Sequence, residues 1–107
     1  MNDATKALFD ALQDEEVFPI DQMRTDLADI SGKLRTIGGS LSEIGGLSQE
    51  AQLMETEPKL AKAIQEFPAR CENAQKQLAQ MRKALSGLTH SLTGLEEGRK
   101  LLGEAKP

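Results

Sequence analysis

From Ile20 onward the apolar positions recur at alternating spacings of three and four: Ile20, Met23, Leu27, Ile30, Leu34, Ile37, Leu41 and Ile44. That is a heptad, with Ile20, Leu27, Leu34 and Leu41 at position a and Met23, Ile30, Ile37 and Ile44 at d. It predicts a first long helix over 20–55. Past Ile44 the stripe runs on through Leu47, Ala51 and Met54, in a register that reads as shifted. A second run follows Thr56-Glu57-Pro58, a stop and a new start. Here Ile64, Cys71, Leu78, Leu85 and Leu92 take a, and Leu60, Phe67, Ala74, Met81, Leu88, Leu95 and Leu102 take d, with Arg99 interrupting the a series. This predicts a second long helix over 58–102. Pro68 lies inside the run without changing its register, so a kink or a restart is expected there. The glycine at 103 is expected to end the helix.

Ahead of these runs, residues 3–17 predict a short N-terminal helix with Leu8, Phe9 and Leu12 as its apolar stripe. Asn2 or Asp3 can cap it. Phe18-Pro19 interrupts it, and Pro19 suits the opening of the next helix. The turn near Thr56 is short, and short connections make consecutive helices antiparallel neighbours. The expected fold is therefore all-α and a single domain over 1–107. It is an antiparallel helical hairpin with coiled-coil heptads plus a short N-terminal helix, completed to a helical bundle by self-association or by a partner.

Glycine changes the picture of the first arm. Gly32, Gly38, Gly39, Gly45 and Gly46 all fall within the heptad run. Each costs a helix interior about 1 kcal/mol relative to alanine. Gly32, Gly39 and Gly46 share position f, while Gly38 and Gly45 share e beside Ser31. An unbroken Leu/Ile register argues for helix through the glycines, because a loop has no reason to keep a period of 3.5. The five glycines then form a candidate close-packing stripe against a neighbouring helix.

Composition supports helix-on-helix burial by aliphatic side chains. Aromatic residues make up only 3% of the 107 positions, with no Trp or Tyr. A charged fraction of 28% and a net charge of −4 argue against generic attraction to nucleic acid or anionic lipid. No apolar run reaches the ~18 residues of a membrane span. The N-terminal residues lack the basic start and apolar stretch of a signal peptide, so the expected location is cytoplasmic, with leaderless secretion as the alternative route.

Candidate chemistry is sparse. Cys71, the single cysteine, stands at an a position, where a small apolar filler is the common role. Asp14-Glu15-Glu16 is the densest acidic cluster, but consecutive side chains on a helix diverge and do not build a metal site. No metal-ligand spacing, phosphate-binding glycine loop or nucleophile–base pair is present. The expectation is no catalytic residue, no cofactor and no metal.

Two resemblances bear on function. His90, the only histidine, lies in His90-Ser91-Leu92-Thr93-Gly94, and His-x-Leu-x-Gly resembles the phosphoacceptor helix of histidine phosphotransfer domains. That resemblance implies a four-helix bundle with an exposed, phosphorylated histidine. Thr93 stands where those domains usually carry lysine. Length, hairpin form and Ile44-Gly45-Gly46 near the midpoint resemble the small helical-hairpin proteins exported by type VII secretion. The Trp of that family's turn and the Tyr of its export motif have no counterpart here.

The function expected from the sequence is non-enzymatic: a helical protein–protein interaction module, adaptor-like, chaperone-like or an assembly subunit. Its partner is a helical protein or a second copy, in a dimer or a heteromeric complex. The expected interface is the seam: Leu27, Ile30, Leu34, Ile37, Leu41, Ile44, Leu78, Leu85, Leu88 and Leu92. The alternatives are a secreted hairpin protein of a specialised secretion system and a phosphotransfer protein using His90.

Overall fold

The structure, a computed structural model, describes residues 1–105 and is all-α. Four helices follow in chain order: α1 (Asp3–Gln13), α2 (Ile20–Met54), α3 (Pro58–Gln65) and α4 (Phe67–Ala105). The chain divides into two compact units. The first joins Met1–Asp29 to the chain from Leu85 onward; the second is Ile30–Ala84.

Each boundary has a local cause. Asn2 caps α1, its Oδ1 accepting the Thr5 amide at 2.7 Å. The helix stops at Gln13, four residues short of the predicted end. Asp14 is extended there, and its own oxygens take over the next amides. The Val17 and Phe18 amides donate to its carbonyl at 3.1 and 2.7 Å, and the Glu16 amide donates to its carboxylate at 2.9 Å. A side chain that offers the backbone such a turn competes with helix. Pro19 then opens α2: its carbonyl accepts the Met23 amide at 2.9 Å, and the amide it lacks would have had no helical partner.

α2 runs for 35 residues without interruption, glycines included, and no glycine among the described residues has positive φ. Glu57 caps α3 through its Oε2 on the Leu60 amide at 2.8 Å, with Pro58 in the first turn. The predicted second helix is two helices. Pro68 has no amide to give the Ile64 carbonyl, so α3 closes at Gln65 and α4 restarts with Pro68 in its first turn. At the far end Gly103 does not terminate α4, which continues to Ala105. A Cβ built at Gly103 would lie 3.6 Å from two atoms of the Phe9 ring, so this glycine serves as a seat for α1. Residues 106 and 107 of the predicted tail lie outside the described residues.

In the first unit, Phe18, Ile20 and Leu92 form a buried cluster, with Leu12, Met23 and Leu27 packed against it. Two arginines tie its helices together. Arg24 Nη2 donates to Glu96 Oε1 at 2.8 Å and to Thr93 Oγ1 at 3.1 Å. Arg99 donates to the Leu12 carbonyl at 3.3 Å while its guanidinium lies 5.9 Å from the centre of the Phe18 ring.

In the second unit, α2 and the start of α4 run antiparallel. Gly38 sits against Leu78 and Arg82, and Gly45 against Cys71. Leu34, Cys71 and Leu78 are its buried apolar residues. Ser48 is buried as well, one heptad beyond Leu41, its hydroxyl donating to the Ile44 carbonyl at 2.6 Å. Position a therefore continues to Ser48, and the register does not shift after Ile44 as its apolar residues suggested.

Candidate functional site

The two heptad rows have separate fates. In the second unit the a positions face the neighbouring helix: Leu34 and Leu78 are buried and Leu41 is half-buried. The large d side chains do not. Ile30, Ile37 and Ile44 on α2 are 43%, 47% and 50% exposed, and Phe67 and Met81 on α4 are 46% and 51% exposed. Roughly half of each of these large side chains meets solvent.

Helix geometry puts all five on one side. The step from a to d turns about 60° one way round a helix axis, and the step from a to e about 40° the other way. An antiparallel neighbour runs the opposite sense when viewed down the shared axis. With the a rows facing each other, both d rows point to one side of the helix pair and both e rows to the opposite side. The contacts agree. On the e side, Gln75 Nε2 donates to the Gly38 carbonyl at 2.8 Å and to Ser42 Oγ at 3.0 Å. That side is polar and internally satisfied. On the d side, Leu47 at position g extends the apolar surface and is 55% exposed.

The ten seam residues thus divide. Leu34, Leu78 and Leu92 are buried inside their own units, and Leu27, Leu41 and Leu85 are half-buried. Ile30, Ile37, Ile44 and Leu88 remain exposed, the last in the first unit, where Leu95 is its exposed companion on α4. Leu47, Phe67 and Met81 were not among the expected interface residues. The sequence held the signal for the last two, since they occupy d on a helix whose a row faces the a row of α2.

The glycine stripe divides as well. Gly38 and Gly45, at e, lie against α4, where a Cβ would come within 3.4 Å of Arg82 and 3.5 Å of Cys71. Gly32, Gly39 and Gly46, at f, have nothing within 4 Å of a built Cβ. Only the e pair packs closely, and it packs against this chain's own α4.

His90 is exposed on α4 in the first unit. Cys71 is buried as a free thiol beside Gly45. Among the described residues no group of three or more His, Cys, Asp or Glu side chains could hold a metal ion, and no helix is long and apolar enough to cross a membrane. No protein-family model, no curated protein and no solved structure matches the chain.

Proposed function

We propose that this chain is a non-enzymatic helical interaction module whose working surface is the d-position face of its second unit. The observation that carries the reading is the row Ile30, Ile37 and Ile44 on α2 beside Phe67 and Met81 on α4, large apolar side chains left half in water on one side of an antiparallel helix pair. Single exposed apolar residues are ordinary, but a contiguous patch rimmed by polar residues marks an interaction surface. A partner helix laid in the groove between the two d rows would meet anchors repeating every seven residues, the pattern of helix-in-groove recognition. The opposite side, where Gln75 bonds Gly38 and Ser42, is polar and carries no comparable row of large apolar side chains.

The test compares what the tagged chain retains from its host extract with what Ile44→Asp and Ala79→Asp retain. Ala79 is exposed at position b, away from the d face. Proteins held by the wild type and by Ala79→Asp but lost by Ile44→Asp are the expected result. Retention unchanged by Ile44→Asp, with helicity intact, sinks the proposal.

A further inference from the structure

Resting on that reading, we propose that the occupant of the d face is a second copy of this chain, packed face to face about a two-fold axis so that two antiparallel helix pairs become a four-helix bundle. The first argument is area. A fully exposed large apolar side chain presents about 200 Å². Six of them about half exposed, Ile30, Ile37, Ile44, Leu47, Phe67 and Met81, leave on the order of 600 Å² in one patch. That is the upper end of what a monomer leaves uncovered, and it approaches the ~800 Å² per partner of a specific interface. A single docked helix covers one groove; a second helix pair covers the whole face.

Charge supplies the second argument. A two-fold axis brings each residue near its own counterpart, so a self-interface fails when its face carries a row of like charges. Among the d and g positions of α2 from 30 to 47 and of α4 from 67 to 84 the only charged residues are Lys33 and Arg70, and Arg70 is paired with Glu66 at 3.1 Å; the rest of the α2 row is Ile30, Ile37, Ser40, Ile44 and Leu47. The face tolerates its own image. The third argument is side-chain shape. In parallel coiled coils Leu at a with Ile at d favours bundles above two strands, and α2 carries that pattern. Here the Leu row is used within the chain, and the Ile row is left to build the additional layer.

Sedimentation equilibrium of the full chain from about 1 to about 100 μM, with thermal melts at both ends of that range, tests the proposal. The expected result is a dimer mass that dissociates on dilution and a melting temperature that rises with concentration. Ile37→Asp should raise the dissociation constant about 100-fold or more, since each dimer then buries two unpaired carboxylates. Ala79→Asp should change it less than about 3-fold. If Ile37→Asp fails to fold, Ile37→Gln and the wild-type concentration dependence carry the test. A monomer throughout, with a concentration-independent melt, overturns the second-copy assignment, as does equal weakening by Ala79→Asp. A monomer whose host partners are still lost on Ile44→Asp overturns the second copy alone; a monomer that loses none overturns the interaction reading too.

Discussion

Replacing Gly32, Gly39 and Gly46 together by alanine should stabilise the second unit. All three lie in the uninterrupted helix α2, and nothing stands within 4 Å of the methyl each would gain. Alanine restricts the unfolded chain without disturbing a neighbour, which contributes about 1 kcal/mol per site in a helix interior. The sites are seven residues apart, about 10 Å along the axis, so the gains should add to about 3 kcal/mol. For a domain of this size that corresponds to a rise on the order of 10 °C in melting temperature. The contrasting change is Gly38→Leu. Its Cβ would lie 3.4 Å from Arg82 Nη2 and 3.7 Å from both Gln75 Oε1 and Leu78 Cδ1, and the rest of the leucine has to displace them. Overpacking of this kind costs about 1–3 kcal/mol, and it also threatens the Gln75 bond to the Gly38 carbonyl. Urea denaturation followed by circular dichroism at one fixed protein concentration reads both. If the alanine triple is destabilised as Gly38→Leu is, the f stripe is covered in solution, and the assignment of close packing to the e glycines is wrong.

Four further outcomes follow from the packing. Leu34→Ala and Leu78→Ala should each cost about 2–4 kcal/mol in urea melts, because both side chains are buried against the opposing helix. Arg24→Ala and Glu96→Ala, studied as a double-mutant cycle, should show a coupling of no more than about 1 kcal/mol, since both side chains are more than a third exposed. Asn2→Ala removes the cap of α1 and should weaken that helix by about 1 kcal/mol, seen as faster amide exchange between residues 5 and 9 with the second unit unchanged. The Cys71 thiol should react with a soluble disulfide reagent only as fast as the second unit opens, so labelling without denaturant at the rate of a free thiol would contradict its burial.

Period and punctuation made most of the helices legible in the sequence. The two heptad runs located α2 and α4, and Pro58 and Pro19 located their approaches. Three things were hidden. A heptad stripe is two rows wide, and spacing alone does not say which row a neighbouring helix will use. Gly38 and Gly45 decide it here, because the absent side chains on the e flank let α4 settle toward the a/e side and leave the d row in water. Ser48 looked like the loss of the register because serine is polar, yet its hydroxyl bonds back to Ile44 and is buried without an unmet donor. Gly103 looked like a stop because glycine often ends helices; its use was room for the Phe9 ring, which no local pattern announces.

The pairing of Gly38 with Leu78 and of Gly45 with Cys71 has a consequence for how this sequence can change its length. Losing one residue from α2 between these glycines would rotate everything beyond it by about 100° and carry Gly45 off Cys71. Losing seven would restore the rotation but leave the two helices out of step by about 10 Å. Only matched losses or gains of seven, one block on each helix at the same height, keep small residues opposite large ones and the polar flank opposite its partners. Length variants of the paired stretches of α2 and α4 should therefore differ by pairs of heptads, while the link between α2 and the Glu57 cap of α3 can change by single residues.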